Sequence, residues 1–306
     1  MRALARALPV LIAAALLLVL AGCGTGPAGA GAPAGKLYVV AAENFWGSIA
    51  AQLGGAKVTV KSIIVNPDTD PHSYEPTASD AVTMARARLA IVNGIGYDRW
   101  ATQLLAADTG GSASVLNVGN LLGLREGDNP HQWYSPASVR RVIRQLVAEY
   151  SRLDPRDAGY FVRRRAAFES GALAEYHRLV AEIRRRYRGV PVGYSESIFE
   201  PLGQALGLHL ATPASFAKAI AEGTEVTAAD KLTVDRQAQR HLIKVWIYNR
   251  QNAGPDVQRV NQLARAAGIP IVTITETLSP ASARFQQWQV SELNGLLQAL
   301  QRATGR

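Results

Sequence analysis

The segment from residue 156 to residue 188 divides the chain into two similar halves; it reads RDAGYFVRRRAAFESGALAEYHRLVAEIRRRYR. It contains no proline, and its apolar residues recur at steps of three, four or seven, which places them on one face of a helix. Asp154-Pro155 supplies a helix start and Gly189 a stop. At about 1.5 Å per residue the helix would reach roughly 50 Å, so we predict that it crosses two lobes. A coiled coil is the alternative, but the segment is short for one and stands alone.

Short apolar runs alternate with amphipathic stretches on both sides of this helix, which predicts an α/β fold with mostly parallel strands. Four strands are expected before the helix and four after it. The expected strands are 37–41, 58–65, 89–92, 115–118, 190–194, 208–211, 242–248 and 271–275. We therefore predict two similar lobes, residues 36–155 and 189–306, each a mostly parallel sheet flanked by helices and joined by the long rigid helix 156–188.

The first 22 residues have the features of a secretory signal rather than of a folded domain. Arg2 and Arg6 precede an apolar stretch, residues 8–20, that is too short to span a bilayer and leads into Leu20-Ala21-Gly22-Cys23. This tetrapeptide resembles a bacterial lipobox, in which cleavage leaves Cys23 as a lipid-modified N-terminus. Residues 23–35 then comprise the lipidated cysteine and a flexible tether of small residues. We expect a chain anchored by its lipid to the extracytoplasmic face of the cell membrane.

The charge of the chain is moderate, and no nucleic-acid partner is expected. The sequence has 33 basic and 24 acidic residues, and loss of the signal with its two arginines leaves a net charge of +7. The densest basic cluster, residues 184–188, could contact anionic lipid headgroups, but such runs are more often a solvated helix face. Cys23 is the only cysteine in the sequence. A metal would therefore be held by nitrogen and oxygen atoms, without thiolates.

Two histidines have nearly the same setting and suggest a metal site: Asp70-Pro71-His72 and Asn129-Pro130-His131, each in a predicted loop. Proline restricts its own φ and the conformation of the residue before it, so each histidine is presented in a limited range of directions. Neutral imidazole is the commonest metal ligand. The two motifs are far apart in sequence, so the fold must supply the other ligands, which are expected just beyond strands. Glu196 and Glu276 follow predicted strands of the second half.

The remaining histidines, His177, His209 and His241, are interpreted as structural because none lies in a turn of this kind at the end of a strand. Gly94-Ile95-Gly96 is too short to count as a dinucleotide motif. A phosphate-binding Gly-Lys-Ser/Thr loop is absent from the sequence.

These residues resemble those of the zinc and manganese solute-binding lipoproteins of ABC importers, the metal-specific periplasmic binding proteins. The resemblance covers nearly the whole chain and rests on the lipobox, residues 42–46 (AENFW), 70–76 (DPHSYEP) and 129–133 (NPHQW), the long helix, Ser195-Glu196 and Thr275-Glu276-Thr277. It implies that the metal ligands are His72, His131, Glu196 and Glu276. It also implies that Asp70 and Glu75 are candidates to orient an imidazole through its second ring nitrogen. The resemblance further implies a monomer that is not an enzyme and that delivers its ion to an ABC permease in the membrane.

The ligand types bear on which metal is carried. Two imidazoles with two carboxylates are harder donors than three imidazoles with one carboxylate, which favours manganese. Zinc accepts the same atoms and generally binds more tightly than manganese. The histidine-rich acidic loop found in some zinc-binding relatives is missing, because the segment directly before His131 is short and comprises only residues 121–130. We therefore expect manganese or zinc as the transported ligand.

Two other functions remain open at this level. The first is a metallohydrolase, in which three protein ligands would leave a water position and Glu75 would act as general base. The second is a two-lobed receptor for a siderophore or a corrinoid, for which Trp46, Trp133 and Tyr194 would provide an aromatic lining. The same aromatic residues could instead shield a small ion from water.

Overall fold

The computed structural model describes residues 35–67, 69, 71–107, 110 and 113–306, apart from the side chain of His72. The predicted signal, Cys23 and the tether up to residue 34 therefore lie outside the described residues, and so does Asp70. Within the described part, no helix combines the length and the apolar character needed to cross a bilayer.

Two four-stranded parallel sheets form the framework, as the alternating pattern predicts. The first sheet contains β1 Leu37–Glu43, β2 Val58–Ile64, β3 Leu89–Val92 and β4 Ser114–Asn117 in the order β2-β1-β3-β4. The second contains β5 Pro191–Tyr194, β6 His209–Leu210, β7 Val245–Asn249 and β8 Ile271–Ile274 in the order β6-β5-β7-β8. All eight strands occur where the sequence predicts them. The two sheets share one strand order although the lobes show no obvious sequence repeat.

Twelve α-helices accompany the sheets in the described part of the chain. They are α1 Asn44–Gly54, α2 Ala78–Ala85, α3 Arg99–Ala107, α4 Val118–Leu122, α5 Pro136–Leu153, α6 Ala158–Ala167, α7 Ala174–Tyr187, α8 Glu200–Leu206, α9 Ala214–Ala221, α10 Ala228–Gln239, α11 Pro255–Ala266 and α12 Phe285–Thr304. Short 3-10 helices lie at Gly55–Lys57, Pro71–Ser73, Gln132–Tyr134, Pro155–Asp157 and Ser197–Phe199. Helices on both faces of a sheet explain why β1 is buried from Val39 to Glu43 without alternation.

The segment between the lobes is helical over the predicted length but is not one continuous α-helix. A π-helical turn, Phe168–Ala172, separates α6 from α7. The amphipathic period does not reveal this turn, because its extra residue shifts the helix face only locally. The predicted apolar stripe is nevertheless buried, except for half-buried Ala172. Helix α6 packs against α1 and α5 of the first lobe, and α7 packs against α8 and α12 of the second.

Helix α1 links the two lobes on one side. It has buried residues around most of its circumference, so it lacks the amphipathic signal that identifies the other long helices. The Asn44 side chain accepts a hydrogen bond from the Leu278 amide at 3.2 Å. Two turns later, the Gln52 amide pairs with that of Gln286 at 2.7 Å. These bonds hold the second lobe against α1 and bring the carboxyl ends of both sheets to a common centre.

Candidate metal centre

Three of the four predicted ligands converge between the lobes. His131 precedes the 3-10 helix Gln132–Tyr134, Glu196 lies two residues beyond β5, and Glu276 lies two residues beyond β8. Their ligand atoms all lie within 4.8 Å of one another. The Nε2 atom of His131 is 3.8 Å from Oε1 of Glu196 and 3.6 Å from Oε1 of Glu276. All three side chains are buried. This arrangement presents one nitrogen and two carboxylate groups to a common point.

Asn129 fixes the orientation and the tautomer of His131. Its Oδ1 atom lies 2.9 Å from Nδ1 of the imidazole and also accepts a hydrogen bond from the His131 amide at 3.0 Å. An amide oxygen only accepts hydrogen bonds, so Nδ1 carries the proton and Nε2 presents its lone pair to the carboxylates. Burial lowers the pKa of His131 to about 4. The imidazole is therefore neutral at neutral pH, which is the form that binds metals.

The two carboxylates are held by hydrogen bonds from the side chains of Asn249 and Tyr97. At the end of β7, the Asn249 side chain donates to Oε2 of Glu196 at 3.0 Å and to Oε1 of Glu276 at 2.9 Å. The Tyr97 hydroxyl donates to Oε2 of Glu276 at 3.0 Å, across the boundary between the lobes. The two acids come from different strand ends, and Asn249 from the strand between them in the sheet. The topology of the second sheet therefore brings the two acids and this amide together.

Two buried carboxyl groups so close together cannot both ionise without a counter-charge. Burial, followed by the negative charge of Glu276, raises the pKa of Glu196 to about 8. Without a cation, the pair thus keeps a proton at neutral pH. A divalent ion placed beside Nε2 of His131 would replace that proton and neutralise both acids.

A tight turn carries Tyr97 to the centre. Residues 94–96 all have positive φ, including the non-glycine Ile95 at 59°. The carboxylate of Asp98 stabilises this conformation by accepting hydrogen bonds from the Asn93 amide at 2.6 Å and the Gly94 amide at 2.7 Å. The glycines that fail as a nucleotide motif therefore serve to shape a turn beside the metal centre.

Two cavities border the centre. One of about 550 Å³ is lined by Tyr97, Asn129, His131 and Glu200 together with residues of α9. Another of about 370 Å³ is lined by Ser73, Gln251, Asn252 and Glu276. Ser73 belongs to the 3-10 helix that includes His72, so the backbone of the first Pro-His motif lies close to the centre.

The other predicted site residues are placed as follows. The backbone of His72 belongs to that 3-10 helix, while its side chain, Asp70 and Cys23 are outside the described residues. Glu75 is exposed. His177, His209 and His241 are also exposed and lie outside the cluster.

Sequence reasoning missed three residues of the centre: Tyr97, Asn129 and Asn249. Asn249 directly follows the predicted strand 242–248, so the rule that located the glutamates could also have found it. Asn129 lies inside the motif that identifies His131, but its role needs the hydrogen bond. No sequence signal connects Tyr97 with Glu276.

Comparison with known proteins identifies the family. The family model described as ZnuA, zinc-uptake complex component A periplasmic, matches residues 39–299. The chain belongs to this family. This confirms the resemblance found in the sequence motifs.

Curated relatives are similar over varying lengths. The manganese-binding lipoprotein MntA of Halalkalibacterium halodurans is 26% identical over 200 residues, which cover 63% of this chain and 65% of that protein. The match to a putative metal-binding protein of Treponema pallidum covers 55% of that protein, so the first relatives are spanned over less than two thirds of their length. The metal ABC transporter substrate-binding lipoprotein FimA of Streptococcus parasanguinis is 24% identical, with 84% of each chain covered.

Solved structures share the two-lobed fold. A serine-to-alanine mutant of the periplasmic metal binding protein from Candidatus Liberibacter asiaticus, in its Mn-bound form, has a TM-score of 0.71 at 18% identity and covers 87% of this chain and 100% of that one. The binding protein FpvC of Pseudomonas aeruginosa, in complex with Mn²⁺, has a TM-score of 0.71 at 19% identity and covers 88% and 99%. The predicted architecture of two α/β lobes with parallel sheets is confirmed.

Proposed function

We propose that this chain is the extracytoplasmic solute-binding lipoprotein of a metal importer, which captures manganese or zinc between its lobes and delivers the ion to an ABC permease. The observation that carries the proposal is the buried centre, where a neutral imidazole nitrogen faces two carboxylates. The family and the names of the relatives agree with this use of the centre.

The proposed ligands are His131, Glu196, Glu276 and His72. The first three already converge, and Ser73 beside His72 lines a cavity together with Glu276. Four protein ligands complete a four-coordinate shell, so the ion is bound as cargo without a water position for catalysis. Asp70 is proposed to orient the imidazole of His72, and Glu75 is the second candidate for that role.

The proposal includes the N-terminal anchor. Cleavage after residue 22 and acylation of Cys23 would hold the chain at the membrane beside its permease, with residues 23–35 as the tether. The two lobes, 36–155 and 189–306, would bind the ion as a monomer.

The structure favours this function over both alternatives. A receptor for a bulky ligand needs aromatic residues that line an open site, but Trp46 and Trp133 are fully buried. Trp133 stacks on Phe45 at a centroid distance of 4.0 Å, and Trp46 donates to Asn93 at 3.0 Å. A hydrolase needs a general base within the site, whereas Glu75 is exposed.

Metal titration of the purified, chelator-treated protein tests the proposal. We expect one Mn²⁺ or Zn²⁺ ion per chain, with binding abolished in His131→Ala. His209→Ala is the matched control, because it removes an exposed histidine outside the cluster and should leave binding unchanged. Absence of stoichiometric binding, or full binding by His131→Ala, would contradict the proposal.

A further inference from the structure

The orientation of the Asn249 side chain is fixed by its surroundings. Its Oδ1 atom accepts a hydrogen bond from the Gln251 amide at 3.0 Å, and its own backbone amide donates to the Ser195 hydroxyl at 3.1 Å. The side chain is fully buried. Because Oδ1 is taken, the amide nitrogen must point at Glu196 and Glu276, as it does at 3.0 and 2.9 Å.

This contact leaves the two oxygens of Glu196 in different environments. Oε2 accepts from Asn249 and, at 3.3 Å, from Asn252. Oε1 accepts no hydrogen bond within the described part of the chain and faces Nε2 of His131. Glu196 is thus presented to the centre through one oxygen. Glu276 differs, because both of its oxygens accept hydrogen bonds: Oε1, which lies 3.6 Å from Nε2 of His131, accepts from Asn249, and Oε2 accepts from Tyr97.

The number of oxygens that each carboxylate offers sets the coordination number of the ion. Bidentate carboxylates suit ions with six or more ligands, whereas zinc is usually coordinated by four ligand atoms. Manganese prefers an octahedral, oxygen-rich shell. A residue that keeps a glutamate ligand monodentate therefore favours zinc relative to manganese.

We propose that Asn249 is a specificity-determining positioning residue: by holding Oε2 of Glu196 it leaves that carboxylate one oxygen for the ion and so favours a four-coordinate shell, which shifts the preference of the site from Mn²⁺ toward Zn²⁺. This inference rests on the proposed function, because it concerns the same centre.

The test compares the full protein with Asn249→Ala and Asn249→Ser. Loss of the amide removes the shorter of the two hydrogen bonds to Oε2 of Glu196 and leaves the 3.3 Å bond from Asn252, so this oxygen becomes more available to the ion as a second ligand atom. We expect Zn²⁺ affinity to fall about 10- to 100-fold, as for other residues that orient metal ligands, and Mn²⁺ affinity to fall less. The Kd ratio, measured by competition titration, should move toward Mn²⁺ by about tenfold. Asn249→Ser retains an oxygen that can accept from the Gln251 amide, so it separates loss of the amide donor from damage to the loop.

The visible spectrum of bound Co²⁺ reports the coordination number independently of affinity. The original protein should show the intense bands of a four-coordinate ion, and both variants the weaker bands of an ion with a fifth ligand atom. Asn261→Ala is the matched control, since it removes a buried amide that accepts a hydrogen bond from Trp246 at 2.7 Å and lies outside this carboxylate contact. Its Kd ratio and Co²⁺ spectrum should not change.

The outcomes separate this inference from the proposed function. Equal losses of Zn²⁺ and Mn²⁺ affinity in both variants, with an unchanged Co²⁺ spectrum, would overturn the role of Asn249 while leaving a metal-binding protein. Failure of the unsubstituted protein to bind either ion would overturn the proposed function itself.

Discussion

Metal affinity should rise with pH in a window set by Glu196. Burial and the neighbouring Glu276 raise the pKa of Glu196 to about 8, so this carboxyl must lose a proton when the ion binds. His131 requires no such step above pH 5, because burial lowers its pKa to about 4. The ionised fraction of a group with that pKa grows about tenfold from pH 7 to pH 9, and the affinity should grow by the same factor.

Calorimetry in two buffers of different ionisation enthalpy measures the proton count directly. At pH 7 close to one proton should be released from Glu196 per ion bound, and at pH 9 almost none. The same titrations with a competing chelator give the affinities.

Glu196→Gln supplies the decisive comparison. A neutral amide has no proton to lose, so its binding should be weaker but nearly independent of pH between 7 and 9. The reasoning is refuted if the unsubstituted protein binds equally tightly at both pH values. It is also refuted if Glu196→Gln releases as many protons as the original chain.

Three further predictions concern the groups around the centre. Asn129→Ala removes the acceptor that orients His131, and titration should show metal affinity about 10- to 100-fold lower; unchanged affinity would contradict this role. Tyr97→Phe removes one hydrogen bond to Glu276, so affinity should fall about three- to tenfold, with the free energy of unfolding of the metal-free protein changed by no more than about 1.5 kcal/mol. Glu292 of α12 accepts hydrogen bonds from the Thr275 amide, next to Glu276, at 3.0 Å and from the Tyr134 hydroxyl at 2.7 Å. Burial raises the pKa of Glu292 to about 8, so the folded chain holds a proton that the unfolded chain loses above pH 4.5, and stability falls as pH rises toward 8. Urea unfolding should show a pH slope smaller by about 1.4 kcal/mol per unit in Glu292→Gln; an equal slope would exclude this contribution.

Helices and strands could be predicted from the sequence wherever the hydrophobic periodicity and the length of an apolar run distinguish the two. The eight strands lie close to their predicted positions because each coincides with a short, mostly apolar run in the sequence. Helix α1 and the π-turn at Phe168–Ala172 could not be found in this way. The first is buried on most sides, and the second differs from an α-helix only in its local hydrogen bonds.

Residues of the candidate site could be predicted where they lie in a recognisable motif or just beyond the end of a strand. The Pro-His motif and the position beyond a parallel strand each identify a residue by sequence alone, and His131, Glu196 and Glu276 do converge. Tyr97 could not be assigned, because its role depends on a turn that reaches the other lobe.

The sequence by itself determined the kind of donors available to an ion: nitrogen and oxygen atoms, with no thiolate after Cys23. It also determined the parallel sheets whose carboxyl ends hold those donors. Only the tertiary structure decided which atoms face the centre. The proton on Nδ1 of His131 depends on its hydrogen bond to Asn129. The single oxygen that Glu196 presents to the centre depends on the hydrogen bond that Asn249 donates to the other oxygen. Such bonds are set by distances of about 3 Å between separate segments, and composition and periodicity do not encode them.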